Sequence, residues 1–352
     1  MGLLIHDLDK KFNQVADNVY KRHFEVDGKL EEEYSVERRK RMYEDILHNL
    51  SFLQTAVKLN DEKIFKDYAI WLFELMVHLM PDLSHTRVRE HMITHYELLL
   101  EELKHLLESD DLEKVEHCIS EAITLTKSHG IKDTRSDFED GDFGVIRKTY
   151  LEYLLKGQSK EAIAYILEVA DMNIKLEDIY VDVLEKVMTE IGKLWHRRKL
   201  TVDQEHYMTS ITQLVISQFY NRIFNSTRKG LKLLACSVGS ELHEMGARMV
   251  ADLFEYSGWD TYYLGAAVPI NNLLESIATN KPDLVALSVT MPQHLVVCKD
   301  IVYEISNKFP NLKIAVGGRA FSTTDNLWKQ WPVDISTSNA KQLIEWAEKE
   351  FS

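Results

Sequence analysis

Cysteines, basic charge and long apolar runs are scarce in this sequence of 352 residues. Its three cysteines, Cys118, Cys236 and Cys298, lie far apart and are odd in number, which excludes a disulfide framework and a CxxC metal site. The net charge of −14 argues against nucleic acid as a direct partner, because phosphate binding requires a basic surface. No apolar run approaches the roughly 18 residues of a membrane span. Since residues 1–10 lack a signal-peptide layout, we expect a cytoplasmic protein with reduced thiols.

Residues 1–132 are predicted to form an all-α domain, either globin-like or a helix bundle. This part of the sequence has no glycine-rich loop and no strand signal. Ser35 and Ser84 stand where helix N-caps are expected. Apolar stripes at helical spacing predict helices through 42–57, 64–79, 88–106 and 112–125.

A pair of histidines in this domain, His91 and His95, has i, i+4 spacing and therefore shares one helix face. Such an HxxxH pair could ligate a metal or hold a tetrapyrrole, although the HExxH pattern of metalloproteases is absent. No second cluster of ligand residues lies nearby in the sequence. We therefore interpret both as half-exposed helix histidines.

The polar and acidic stretch 131–143 contains a glycine and is the predicted linker. After it, four helical segments joined by short loops predict a four-helix bundle over residues 144–227. Ser159 is the predicted cap of the second of these helices. Thr201 and Gln204 are spaced as a capping box at the start of the last one.

Residues 228–352 alternate between strand and helix patterns, which predicts a Rossmann-like, doubly wound parallel sheet. The whole chain is thus expected to be a multidomain α and α/β protein. The predicted strands are 231–236, 261–264, 284–289, 314–316 and 333–335, and the predicted helices are 243–256, 270–279, 294–308 and 339–350.

Three short motifs follow predicted strands, at 241–246, 288–290 and 317–318. The first and second are separated by 41 residues, and the second and third by 26. The carboxyl ends of strands are where open α/β sheets bind ligands. The first motif contains His243, with an acid two residues before it and a glycine three residues after it. This combination indicates a metal or cofactor rather than a phosphate.

These motifs resemble the cobalamin-binding domain of methionine synthase and its relatives, whose signature is DxHxxG, then SxL, then GG at these spacings. Two positions depart from it, because Glu241 stands for the aspartate and Thr290 for the leucine. The resemblance implies that His243 replaces dimethylbenzimidazole as the lower axial ligand of cobalt. Glu241 would then accept a hydrogen bond from the other imidazole nitrogen, since ligating histidines need such a partner.

The same resemblance implies that the displaced nucleotide tail runs beside the sheet. Paired glycines would let the backbone approach the tail closely, and hydroxyl groups would face its base. The implied cofactor-contacting residues of this domain are Glu241, His243, Gly246, Gly265, Ser288, Thr290, Gly317 and Gly318.

The predicted bundle carries a second candidate group, in which Trp195–His196 ends one helix and Glu205–His206 lies near the start of the next. Antiparallel packing brings both pairs to one end of the bundle. A tryptophan followed by nine residues and then Glu-His resembles the CarH family of adenosylcobalamin-dependent photoreceptors. The resemblance implies that Trp195 packs over the 5′-deoxyadenosyl group, with Glu205 and His206 against it. It also implies that His196 becomes the upper axial cobalt ligand once light has removed that group.

The resemblance to CarH covers residues 144–352, and no DNA-binding helix-turn-helix domain is recognised, so a transcription-factor role is not expected. By architecture alone, residues 1–132 resemble the globin-like sensory domains of photocobilins, which hold biliverdin beside adenosylcobalamin. Cys118 is the one cysteine in this part of the sequence, so we expect any bilin to be held non-covalently.

Three functional hypotheses follow. The first is a non-enzymatic light sensor whose light-dependent self-association acts on a downstream protein, with adenosylcobalamin and biliverdin as its candidate chromophores. The second is a corrinoid methyl-carrier protein of a methyltransferase system. The third is a haem or bilin sensor in which cobalamin is vestigial.

Overall fold

The computed structural model describes residues 10–131 and 137–352. Contacts divide the chain into unit 1, which runs to Ile131 and includes 291–296 and 322–327, and unit 2, which takes in the remainder. The residues that bear on a signal peptide, 1–9, and part of the predicted linker, 132–136, lie outside the described residues. The bundle and the sheet fall within the same unit, so the boundary at 227/228 stays a prediction.

Unit 1 is helical throughout its regular elements. Ser35 and Ser84 are N-caps as predicted, since their side chains accept hydrogen bonds from Arg38 N and Arg87 N at 3.3 and 3.2 Å. Four of its helices match the four predicted stripes, but α1 was not predicted. The helices are α1 Lys10–Val26, α2 Leu30–Glu33, α3 Val36–Leu59, α4 Lys63–Leu79, α5 His85–Lys104 and α6 Ser109–Ser128.

The prediction that His91 and His95 are half-exposed is wrong. Their exposed fractions are only 8% and 7%. The cause is α1, which packs along α5 and places His23 Nε2 3.1 Å from His95 Nδ1. His91 Nδ1 lies 3.2 Å from the Tyr34 hydroxyl oxygen. Helical spacing had identified the shared face correctly, whereas the missed helix determined that this face is buried.

The first half of unit 2 is the predicted bundle. The capping box is confirmed, with Thr201 N donating to Gln204 Oε1 at 2.9 Å. The predicted cap at Ser159 is wrong, because the helix already includes Ser159 and its N-cap is Gln158, which makes no side-chain capping bond. The helices are α7 Gly144–Leu155, α8 Ser159–Asp171, α9 Leu176–Asp178, a π-helical turn Ile179–Glu185, α10 Lys186–His196, α11 Val202–Ser217 and α12 Tyr220–Ile223.

The second half of unit 2 is a five-stranded parallel sheet in the order β2-β1-β3-β4-β5, as the predicted doubly wound fold requires. The first four strands fall where they were predicted, and the fifth begins two residues later. The strands are β1 Lys232–Ser237, β2 Asp260–Tyr263, β3 Leu284–Ser288, β4 Lys313–Gly317 and β5 Ile335–Thr337. The helices are α13 Met245–Tyr256, α14 Ile270–Asn280, α15 Leu295–Lys308, α16 Arg319–Ser322 and α17 Ala340–Glu350.

The bundle packs directly on the helices that cover one face of the sheet. Its buried core continues into Met249 and Leu253 of α13 and Ala340 of α17. Because α13 begins two residues after His243, the bundle contacts the same helix that extends from the candidate site. No helix in the described ranges is both long and apolar enough to cross a membrane.

Candidate functional site

The three sequence motifs meet at the carboxyl edge of the sheet. Strand register pairs Ser237 with Ser288, and Ser288 with Gly317. Backbone bonds continue this row beyond the strands, from Val238 N to Ser288 O and from Val289 N to Gly317 O, both at 2.9 Å. The strand order also reverses at β1, which has β2 on one side and β3 on the other. This is the topological switch point at which such sheets bind ligands.

Glu241 ties two of these loops together. Its side chain is almost fully buried, with 2% of its surface exposed. The carboxylate oxygen Oε1 accepts a hydrogen bond from Thr290 N at 2.8 Å. Glu241 therefore holds the loop after β1 against the loop after β3, and its predicted hydrogen bond to His243 stays a prediction.

His243 lies in the loop between β1 and α13 with its side chain exposed. Its carbonyl oxygen accepts a hydrogen bond from Ser237 Oγ at 3.2 Å, so the backbone is held while the imidazole faces solvent. The neighbouring Leu242 is 79% exposed, which gives this surface an apolar part. Within the described ranges, no three His, Cys, Asp or Glu side chains gather as a metal site.

The glycine pair after β4 is required by close backbone packing. Gly318 has φ +94°, and a Cβ there would lie 2.4 Å from Val289 O. At Gly317 a Cβ would lie 3.0 Å from Thr337 O. A side chain at either position would push the loop away from its neighbours. The pair thus leaves the end of β4 without side chains, so that a planar or extended ligand could lie close to its backbone.

Two further predicted glycines differ in what surrounds them. Gly265 has φ +76°, and its carbonyl accepts a hydrogen bond from Ser237 N at 2.9 Å, so it belongs to the same row of loops. Gly246 is the second residue of α13, and a Cβ there would meet no atom within 4 Å. The packing of this chain therefore does not require a glycine at position 246, and the space above it is open.

The second candidate group lies at the adjoining ends of α10 and α11. Trp195 is half-buried against the bundle core, and His196 next to it is also half-buried. Glu205 Oε1 accepts a hydrogen bond from Thr209 Oγ1 at 2.9 Å, while Glu205 Oε2 lies 3.5 Å from the exposed His206 Nε2. The structure thus confirms that both pairs come to one end of the bundle. That these residues pack over the 5′-deoxyadenosyl group of a bound cobalamin stays a prediction.

Sequence reasoning missed a polar network at the bundle side of α13. Asp252 is buried and accepts hydrogen bonds from Tyr180 Oη at 3.2 Å and Arg248 Nε at 3.1 Å. Burial raises the pKa of Asp252 to about 6, although Arg248 opposes the change. The i, i+4 spacing of Arg248 and Asp252 could have revealed that pair. The contribution of Tyr180, which comes from 72 residues away in the chain, had no local signal.

Burial removes the cysteines of unit 2 from consideration as ligands. Cys236 and Cys298 are both buried and free. Burial raises the pKa of Cys236 to about 12, and it also raises the pKa of Cys298. Both thiols are therefore protonated near neutral pH, whereas the form that binds metals is the thiolate. His243 is the better candidate ligand.

Two family models match the chain. Residues 231–336 match a model described as B12 binding domain, and residues 146–219 match a second model of the same description. The first covers the sheet with its carboxyl-edge loops, and the second covers the bundle up to the end of α11. The two candidate groups of residues therefore fall in two adjoining B12 binding domains.

Curated relatives support the same assignment. The HTH-type transcriptional repressor CarH of Myxococcus xanthus is 28% identical over 141 residues, which are 40% of this chain and 46% of that protein. The chain thus spans less than half the length of this relative. Dimethylamine corrinoid protein 1 of Methanosarcina acetivorans is 23% identical over 166 residues, which are 45% of this chain and 76% of that protein.

The fold also matches a solved corrinoid protein. The monomethylamine corrinoid protein of Methanosarcina barkeri superposes with a TM-score of 0.52, covering 58% of this chain and 98% of that one. At 16% identity, this likeness shows the fold alone. With both domain matches and the similarity to CarH in place, the chain is a CarH-like cobalamin-binding protein.

Proposed function

We propose that this protein is a non-enzymatic light sensor with adenosylcobalamin as its chromophore. The observation that carries the proposal is the pair of adjoining helix ends, at which α10 ends with Trp195 and His196 and α11 begins with Glu205 and His206 in its first turns. This end belongs to a bundle that packs on α13, the helix that begins at the His243 loop. The similarity to CarH, at 28% identity, supports the proposal.

The residues at the sheet edge fit the lower side of a corrinoid. His243 offers an exposed imidazole on a firmly held backbone, and such an imidazole would serve as one ligand to a metal that a macrocycle already surrounds. Gly317 and Gly318 keep the strand end low. The hydroxyl groups of Ser288 and Thr290 stand on the adjacent strand end, where a nucleotide tail would pass. We assign these residues to bind the cofactor from below.

The residues at the bundle end fit the upper side. We assign Trp195 to cover the adenosyl group, because a half-buried indole offers a large apolar face. Glu205 and His206 supply polar atoms at the same helix end. When bound, adenosylcobalamin supplies a cobalt–carbon bond that visible light can break. We assign His196 to ligate cobalt in the illuminated state, since neutral imidazole is a strong metal ligand.

The bistable element in this proposal is the packing of the bundle on α13. A change at His196 or Trp195 alters how α10 and α11 lie, and these helices share a core with Met249 and Leu253. Such a shift changes the outer surface of unit 2. We propose that the output is a light-dependent change in self-association that acts on a downstream protein.

Absorption spectroscopy of the full chain tests this function. The protein is loaded with adenosylcobalamin in the dark and then exposed to visible light, and we expect a persistent change of spectrum together with a change in elution volume on gel filtration. In His196→Ala the stable illuminated spectrum should be lost. His105→Ala, which changes an exposed histidine of unit 1, is the matched control. An identical photoproduct in His196→Ala would rule out its role, and indifference of the wild type to light would rule out the sensor.

The second candidate function is a corrinoid methyl carrier. The specific observation in its favour is the similarity to dimethylamine corrinoid protein 1, of which 76% is covered. A carrier needs an upper face that partner enzymes can reach, and the half-buried Trp195 argues against such access. Loading with methylcobalamin separates the two candidates, because rapid methyl transfer to a thiol acceptor with a partner methyltransferase, together with an elution volume that light does not change, would favour the carrier.

For unit 1 we propose a second chromophore site, with non-covalently held biliverdin as the candidate and haem as the alternative. The Nε2 atoms of His91 and His95 are buried without a hydrogen-bond partner, and the former lies 3.2 Å from Glu33 Oε2 without hydrogen-bond geometry. Buried polar atoms are normally paired, so these two are candidates for ligand contact. Cys118 is buried, and burial raises the pKa of its thiol to about 11, which disfavours a covalent bilin link.

Titration with biliverdin and with haemin tests this second site. We expect biliverdin to give a saturable change in its red absorption band, and the band should disappear on denaturation because no thioether link is formed. His95→Leu should weaken binding, whereas His105→Leu should not. A band that survives denaturation would contradict non-covalent binding, and saturable binding of haemin alone would favour the third hypothesis.

A further inference from the structure

The turn that carries His243 is held by hydroxyl groups from two neighbouring strands. Ser237 of β1 donates to the carbonyl oxygen of His243, and Tyr263 of β2 donates to the carbonyl oxygen of Glu244, both at 3.2 Å. The imidazole itself is exposed, so packing does not fix its direction. The position of the Cα–Cβ bond from which the imidazole extends is therefore set by the backbone, and these two hydrogen bonds hold that backbone.

Arg248, in the first turn of α13, connects this turn to the bundle. Its guanidinium carbon lies 4.9 Å from the ring centre of Tyr263 and 5.2 Å from the ring centre of Tyr220. A guanidinium between two aromatic faces is attracted to both. Tyr263 belongs to β2 and Tyr220 to α12, so Arg248 joins the sheet to the bundle.

A buried carboxylate fixes Arg248 in this position. Asp252 Oδ1 accepts from Arg248 Nε at 3.1 Å, and Asp252 Oδ2 accepts from Tyr180 Oη at 3.2 Å. Tyr180 lies in the π-helical turn of the bundle. Such turns are frequent at functional sites. Both carboxylate oxygens are thus engaged, so a displacement of the π-helical turn would pull on Asp252 and, through it, on Arg248.

We propose that Arg248 is a positioning residue, through which the packing of the bundle sets the direction of the axial imidazole of His243. Contacts run without interruption from Tyr180 through Asp252 and Arg248 to Tyr263. The Tyr263 hydroxyl donates to the carbonyl oxygen of Glu244, the residue that follows His243. The residues of a binding site must be held within roughly 0.5 Å and 10–20° of the productive geometry. This inference rests on the proposed role of His243 as a cobalt ligand.

Electron paramagnetic resonance of the full chain loaded with cob(II)alamin tests the inference. With ¹⁵N-labelled histidine in the protein, the superhyperfine splitting distinguishes a protein imidazole from the dimethylbenzimidazole of the cofactor. We expect Arg248→Gln to lower the fraction with histidine bound, with a loss of cobalamin affinity of about tenfold, in the range seen when the outer partners of a metal ligand are removed. Tyr263→Phe, which deletes one hydroxyl, should lower the affinity about fivefold.

Two matched control variants change residues outside this network. Tyr303→Phe removes an exposed hydroxyl that donates to Gln330 O at 3.3 Å. Arg39→Gln removes a guanidinium of unit 1 that lies 5.2 Å from the ring centre of Phe24. Both controls should keep the wild-type splitting and affinity.

The outcomes separate the inference from the proposed function on which it rests. If His243→Ala removes the histidine splitting while Arg248→Gln and Tyr263→Phe keep wild-type splitting and affinity, the positioning role is overturned and His243 remains the ligand. If His243→Ala retains the splitting, the proposed role of His243 as the cobalt ligand is overturned. Circular dichroism and thermal unfolding of the unloaded protein establish that each variant folds. Should Arg248→Gln not fold, Tyr263→Phe alone decides, because it removes a single oxygen atom.

Discussion

Each unit of this protein places histidines where the sequence suggested a ligand, but in opposite surroundings. In unit 1, His91 and His95 are buried, and burial lowers the pKa of His95 to about 3. In unit 2, His243 is exposed on a turn that strand hydroxyl groups hold. Helical spacing brings two residues to one face without deciding whether that face is covered. Parallel strand register, by contrast, brings loops that are distant in sequence to one edge, which is where a ligand is reached from solvent.

The largest expected effect concerns the glycines of the sheet edge. Gly318→Ala should destabilise unit 2 by about 3 kcal/mol, because a Cβ would lie 2.4 Å from Val289 O and φ is +94°. Gly246→Ala should instead stabilise the unloaded protein by about 0.5–1 kcal/mol, since the position is helical and open. Urea unfolding measures both. Equal effects of the two substitutions would show that the edge is not closely packed.

The two classes of histidine should respond oppositely to truncation. His243→Ala should weaken cobalamin binding by roughly 100-fold, because removing a metal ligand should cost at least as much as removing its hydrogen-bonding partner. The unfolding temperature of the unloaded protein should not change. His95→Ala should leave cobalamin affinity unchanged, but should destabilise unit 1 by about 2 kcal/mol through the cavity it creates. Equilibrium dialysis and calorimetry provide the two measurements. If His95→Ala weakened cobalamin binding as strongly as His243→Ala, the contrast between the units would not stand.

Acid pH should sharpen the contrast further. Burial lowers the pKa of His23 from 6.5 to about 4, so the folded form resists a proton that the unfolded form binds. This stability is present above pH 6.5 and is lost as pH falls toward 4, by about 2 kcal/mol between pH 7.5 and 5. Burial raises the pKa of Asp45 to about 7, which acts in the opposite direction over the same range. The comparison must therefore be made against a variant.

His23→Gln is that variant. Its unfolding free energy should fall less steeply than that of the wild type as pH drops from 7.5 to 5, because glutamine does not titrate. Asp45 contributes equally to both proteins and cancels in the difference. Parallel pH profiles for wild type and His23→Gln would contradict a buried neutral histidine at this position.

The elements that the sequence predicted well are those whose signal is local and strong. β1 and β3 each contain an uninterrupted run of four apolar residues, which is typical of strands buried on both faces. The helix caps at Ser35 and Ser84 each depend on a single serine followed by a helix. β5 is short and half-exposed, so its pattern left the boundary uncertain by two residues.

The sequence did not lead us to α1, to the π-helical turn or to the hydrogen bond of Glu241. The first had a local signal that was overlooked, and the other two did not. α1 has buried residues at helical spacing, Val15, Val19 and His23, and this pattern could have been found. The π-helical turn could not, because one extra residue per turn hardly changes the apolar pattern. For the site, motif spacing predicted which residues share the edge. It could not predict that Glu241 would bind Thr290 N, because only the folded register brings them together.

The smallest effect concerns the bundle end. There His196 is half-buried, whereas His95 is buried and His243 is exposed. Thr201 caps α11 and forms a reciprocal capping box with Gln204. Thr201 lies four residues before Glu205 and five before His206. Thr201→Ala should cost about 1 kcal/mol of stability because it leaves a helix amide without its acceptor. If this end only covers the cofactor, cobalamin affinity should stay within about twofold of wild type while the illuminated spectrum decays faster. Ser84→Ala, which removes a comparable cap in unit 1, should lose similar stability with no change in that decay. Equal decay rates in both variants would show that the bundle end is rigid without its cap, and that the switch lies deeper, at the packing of the bundle on α13.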